Sequence, residues 1–159
     1  MKDDILLLTR FGIIYGVGFV IIEGALAPFT QWGQYAPSTF LVWNTPLYLV
    51  PIWCVVGAGL AYGNQKLEKF LPTCLYFRMG IVFLVMFLCA LFGEAAGAWL
   101  HLWSFAKTAI TLLEVPFWVP LSYACAFAMS PLIYRKKTGG LIQVLLVGCF
   151  WQLSHLFLW

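Results

Sequence analysis

The chain has 159 residues, of which 63% are hydrophobic and only 9% charged, with a net charge of +3. A soluble domain carries about 25% charged and about 45–50% apolar residues, so this scarcity of charge excludes a water-facing globular surface. The composition predicts an all-α integral membrane protein. The short alternating segments of a membrane β-barrel are absent from the pattern, and membrane topology, not a nucleic-acid partner, accounts for the basic residues.

A helix needs about 20 apolar residues to cross the hydrocarbon core, and runs of that length predict five spans, near 8–28, 41–62, 79–101, 113–134 and 141–158. No long linker separates them, so residues 1–159 form a single membrane domain. Ala25-Leu26-Ala27 resembles a signal-peptide cleavage box. Glu23 and Pro28 crowd it, however, and the first span has a counterpart further along the chain. A retained helix is therefore expected.

That counterpart defines a repeat. Arg10-Phe11-Gly12-Ile13-Ile14-Tyr15 is matched by Arg78-Met79-Gly80-Ile81-Val82-Phe83. Glu23, Trp32 and Cys54 are matched by Glu94, Trp103 and Cys125, all three at one common offset. Asn44-Thr45-Pro46 is matched by Glu114-Val115-Pro116 at an offset shorter by a single position. The pattern reads as a tandem, parallel repeat of a two-helix hairpin, about 8–68 and about 76–137, followed by a fifth helix over 141–158. Repeats that start on the same side are related by an axis near the membrane normal. Pro46 and Pro51 in the second span, and Pro116 and Pro120 in the fourth, predict bends near one end of each.

Lys66, Lys69 and Arg78 lie between spans two and three, and Arg135, Lys136 and Lys137 between spans four and five. Basic residues stay on the cytoplasmic side. The expected topology has the N-terminus cytoplasmic and the C-terminus extracytoplasmic, in a bacterial inner membrane.

The polar residues are uneven in depth. Glu94 and His155 each stand about 15 residues along their spans, roughly 22 Å up at about 1.5 Å per residue. Glu23 lies at a similar level, and His101 and Glu114 lie at the outer boundary. Glu94 and His101 are seven residues apart, which on a continuous helix places them on one face with Ala90 and Gly97. Ionisable groups within membrane helices face the bundle interior and mark sites of function. Glu94, Glu23, His101, His155 and Glu114 are the candidate catalytic residues, with Glu94 first among them.

A buried carboxyl can serve as a general acid toward an alkene or ether of a lipid-soluble molecule. Intramembrane carboxylates also carry protons or cations in transporters. No metal-ligand spacing is present, and Cys54, Cys74, Cys89, Cys125 and Cys149 form no C-x-x-C pair. No metal or cofactor is expected, and the cysteines read as small packing residues.

Glu94-x-x-Gly97, Trp103-x-Phe105, Val115-Pro116-Phe117-Trp118-Val119-Pro120-Leu121 and Pro131 together resemble polytopic carotenoid-biosynthesis proteins of the hydratase and lycopene-cyclase type. The resemblance spans about a quarter of the chain, from 94 to 131. It implies proton or water addition to a polyene, with Glu94 in the place of a family acid. Three functions stay open: a membrane-embedded enzyme or binding protein for a lipid or isoprenoid, acting in the outer half of the bilayer; a small proton- or cation-coupled transporter; or a non-catalytic subunit of a membrane complex. The expected partners are a membrane lipid or hydrophobic small molecule, and other subunits in a homo- or hetero-oligomer.

Overall fold

The structure is a computed structural model that describes residues 2–30, 33–36, 40–42, 45–105 and 110–158, with the side-chain surroundings of 2–4, 27–30, 33, 42 and 154–158 left aside. Trp32 and Asn44, which enter the repeat, lie outside the described residues. The chain is all-helical apart from short strands. In order it forms α1 (Lys2–Thr30), β1 (Gly33–Tyr35), β2 (Leu41–Val42), β3 (Thr45–Pro46), α2 (Leu49–Phe70) and α3 (Leu75–Trp99). There follow β4 (Trp103–Phe105), β5 (Thr111–Leu112), β6 (Val115–Pro116), α4 (Trp118–Ala128), α5 (Ser130–Ile133) and α6 (Gly139–Leu158). Two helical segments, Ile5–Leu26 and Leu75–Trp99, are long and apolar enough to cross a membrane.

The second and fourth apolar runs begin differently from the expectation. Residues 41–46 and 111–116 form antiparallel hairpins, pairing Leu41 with Pro46 and Thr111 with Pro116. Pro46 and Pro116 have no backbone N–H to give to a helix, and they hold the preceding Thr45 and Val115 in extended conformations. Leu113 and Glu114 make the second turn with φ of 53° and 66°. The expected proline bends also find no cause here. Pro51 and Pro120 are the third residues of α2 and α4, where the N–H lost has no intrahelical acceptor in any case. The helical break instead falls at Met129, between α4 and α5, directly before Ser130-Pro131.

The helices pack as an open arc. α1 lies between α2 and α6, and α4 between α6 and α3, whereas α2 and α3 scarcely touch. Small residues set the close approaches. A Cβ on Gly16 of α1 would overlap Cys54 Sγ and stand 2.7 Å from the Cys54 backbone nitrogen on α2. Gly140 and Gly148 of α6 lie close in the same way against Ile14 and Ile22 of α1. Without water to drive apolar surfaces together, such tight backbone contact is a main source of helix association in lipid. The far side of α3 exposes Leu84, Leu88, Phe92 and Trp99, an apolar surface of the kind that lipid covers.

One end of the arc is roofed. β1 and β4 pair antiparallel with Gln34 opposite Ser104 and Tyr35 opposite Trp103, and Ala36 N–H donates to Leu102 C=O at 3.0 Å. Residues far apart in sequence thus lock the two halves of the chain together. The opposite end has its own clasp. Asn64 Nδ2 donates to Ser130 Oγ at 2.8 Å. Beyond it, Glu68 accepts hydrogen bonds from the Tyr134 hydroxyl and from Arg135 Nε, the latter at 2.9 Å, and its carboxylate lies 2.7 Å from the Arg135 terminal nitrogen.

The Tyr134 hydroxyl first, and then Arg135, hold the Glu68 carboxyl below its ordinary range. A depressed carboxyl stabilises the fold above its unfolded value of about 4.3 and loses that contribution as pH falls through the folded value. Arg135 is 67% exposed, so the ion pair adds at most about 1 kcal/mol. The thermal midpoint of the purified protein is therefore expected to fall slightly more steeply on acidification below about pH 4 than that of Glu68→Gln. Equal slopes for the two would show that the clasp carries no charge-dependent stability.

Candidate functional site

Between the arms of the arc lies a cavity of about 320 Å³, closed at one end by the β1–β4 roof. This volume is at the lower end of the range for small-molecule pockets, about 300–1,000 Å³. α3 contributes Met86, Cys89, Ala90, Gly93, Glu94 and Gly97 to its wall, and α2 contributes Leu49, Ile52, Trp53 and Val56. α4 adds Trp118, Val119, Tyr123 and Phe127. Glu23 of α1 and Trp151 of α6 form the back, and Tyr35, Leu102 and Trp103 the roof. The mouth faces sideways. Ile52 of α2 and Cys89 and Gly93 of α3 are both lining and exposed, so the gap between α2 and α3 opens on the protein's flank.

Two carboxylates reach this space from different helices. Glu23 is only 2% exposed. Its Oε1 accepts a hydrogen bond from the Tyr35 hydroxyl, and its Oε2 is buried without a partner among the described residues. Burial first, and then the charge of Glu23, push the Tyr35 phenol far above its ordinary range. Tyr35 thus keeps its proton and acts as a fixed donor. Glu94 has a different setting. The Trp103 indole and the Tyr123 hydroxyl face its carboxylate, but Trp103 Nε1 closes no hydrogen bond of good geometry. The two acids thus have different donors, Tyr35 for Glu23 and the Trp103–Tyr123 pair for Glu94.

Trp103 is placed by a glycine. A Cβ on Gly97 would overlap the Trp103 ring, so only a residue without a side chain lets the indole lie over α3 beside Glu94. Aromatic rings continue the wall. Phe19 stacks on Trp53 with centroids 3.8 Å apart, Trp53 meets Tyr123 at 5.4 Å, and Tyr123 meets Trp151 at 5.5 Å.

Of the five candidate residues, Glu23 and Glu94 come together in the cavity. Two others do not. α3 ends at Trp99, and His101 follows in an exposed turn with φ of 58°. The expected shared face of Glu94 and His101 therefore does not form, because the helix stops before the seventh residue is reached. Ala90 and Gly97 do line the cavity with Glu94. Glu114 sits exposed at the β5–β6 turn, away from the cavity lining. The side chain of His155 lies outside the described residues. Among the described residues no cluster of three or more metal-ligating side chains occurs.

Comparison with protein-family profiles, curated proteins and solved structures finds no match for this chain. The reading of function rests on the cavity itself. Tyr35, Trp53, Trp118 and Tyr123 escaped the sequence reading. A usable signal was present for two of them: Trp53 and Tyr123 are separated by nearly the same offset that relates Glu23 to Glu94.

Proposed function

We propose that the protein is a membrane-embedded enzyme or binding protein for an elongated apolar molecule such as an isoprenoid, with Glu94 as its acid. The observation that carries this is the convergence of Glu23 and Glu94 on one apolar cavity with a lateral mouth. A water-insoluble molecule reaches such a mouth directly from the bilayer. Five spans and cytoplasmic basic turns remain part of this proposal; the Glu68–Arg135 clasp, which brings both basic connections to one end, supports a common side for them.

The chemistry that two carboxyls permit is a proton exchange. Glu94, when protonated, adds its proton to one carbon of an alkene, and the π electron pair forms the new C–H bond. The adjoining carbon is left cationic. Glu23 as carboxylate takes a proton from a neighbouring carbon, and that C–H pair re-forms the double bond one position along. Protons and electrons balance, and Tyr35 fixes the orientation of the accepting carboxylate. Two carboxyls in different surroundings suit such a division of acid and base roles.

A tandem origin of the two halves is part of this reading. Gln34 and Ser104, one position off the offset that relates Trp32 to Trp103, pair directly in the roof. Trp53 and Tyr123 lie side by side on the cavity wall. A β-hairpin precedes both α2 and α4. Near-equivalent positions of the two halves thus lie beside one another, which supports a tandem origin.

A pocket-filling variant tests the cavity. The methyl ester of cis-parinaric acid, a conjugated tetraene, fluoresces in apolar surroundings and accepts energy from nearby tryptophans. Energy transfer from the protein to this probe in non-ionic micelles is expected to saturate. In Ala90→Trp, whose new ring occupies the cavity, the saturable part is expected to vanish. Equal saturable transfer in both proteins would mean that the probe binds as surface lipid, and the cavity reading would fall.

A further inference from the structure

We infer that the cavity is built to receive a positively charged centre on an apolar molecule, namely an aliphatic ammonium group at the end of a hydrocarbon body. This rests on the reading of the cavity as a binding site and specifies what it binds.

The charge inventory is the first ground. Two carboxylates line the cavity, and no lysine, arginine or histidine does so among the described residues. Glu23 Oε2 is buried and meets no donor among the described residues. A buried carboxylate needs a cation or a proton to be tolerated, and here the protein wall provides no cation. A ligand carrying one would complete the site.

The aromatic wall is the second, independent ground. Trp53, Tyr123 and Trp151 line one continuous surface, backed by Phe19. Ring faces attract a cation within about 6 Å of the centroid, with tryptophan the strongest, and such cages are how proteins recognise quaternary ammonium groups. The remaining lining is aliphatic or small, from Leu49, Val56 and Met86 to Ala90, and suits a hydrocarbon tail. The sideways mouth between α2 and α3 admits such a tail from lipid. Free calcium or magnesium would find too few oxygen ligands here, since calcium takes about 6–8 and magnesium needs near-octahedral coordination.

The test is displacement of the parinaric ester by two molecules of nearly equal shape. Dodecyltrimethylammonium carries a full positive charge; 2,2-dimethyltetradecane replaces its nitrogen by carbon and is neutral. In the same micelles the cation is expected to displace the probe at about a tenfold lower mole fraction than the hydrocarbon. Glu23→Gln and Trp53→Leu are each expected to narrow that ratio, because the cation loses an electrostatic partner that the hydrocarbon never had. Equal displacement by both molecules would overturn the cationic assignment and leave the apolar cavity standing. Displacement by neither would remove both readings.

Discussion

Glu94→Gln is expected to abolish proton exchange into a bound polyene while leaving the cavity able to bind it. The reaction can be followed without knowledge of the natural substrate, by incubating the protein with geranylgeraniol in heavy water and measuring deuterium at carbon by mass spectrometry. Glutamine keeps the size of the side chain and its hydrogen-bonding reach toward Trp103 and Tyr123, but it delivers no proton. General acid–base groups contribute about 10²–10⁴-fold, and a loss of that order is expected. Glu23→Gln should also slow exchange, since the accepting carboxylate is removed while its bond to Tyr35 can be kept. Saturable parinaric ester transfer in both variants should stay near that of the parent. Deuterium incorporation at the parent rate in Glu94→Gln would eliminate Glu94 as the acid.

Gly16→Val should be the most damaging single change in the helix packing. The new Cβ would overlap Cys54 Sγ, and would meet the Cys54 backbone nitrogen at 2.7 Å and the Val50 carbonyl oxygen at 2.9 Å. Two of those three atoms belong to the backbone of α2 and have no rotamer to escape by. α1 must therefore move away, and overpacking of this kind costs about 1–3 kcal/mol. At this chain length each kcal/mol lowers the thermal midpoint by about 2–4 °C. The shift also reaches the site, because α1 carries Glu23 and its bond to Tyr35. Cys54→Ala should restore part of the loss, since it removes the sulfur but not the backbone contacts. A Gly16→Val protein with the parent's midpoint would contradict the close approach of α1 and α2.

Much of this molecule is readable from its residues. The hydrophobic runs locate the long helices, and the sequence offset shared by three residue pairs picks out the two carboxylates that line the cavity. Element boundaries are harder. Apolar composition does not distinguish a helix from a hairpin at residues 41–46, where Thr45-Pro46 decides the matter locally. His101 illustrates the same limit: its spacing from Glu94 fits one helix face, but α3 ends at Trp99, before reaching it. The aromatic lining is less legible still. Tryptophans near the end of a span read as interface anchors, and only the fold of β4 over Gly97 turns Trp103 inward toward an acid. That placement depends on strand pairing between distant segments, which no local pattern encodes.

The gap between α2 and α3 has a kinetic consequence. A molecule that arrives through the flank is counted per unit of surrounding amphiphile, not per litre of water. Adding empty micelles at fixed protein and ligand should therefore lower occupancy, although the total concentration of every reactant is unchanged. Rates for this protein are comparable between laboratories only when expressed against surface mole fraction.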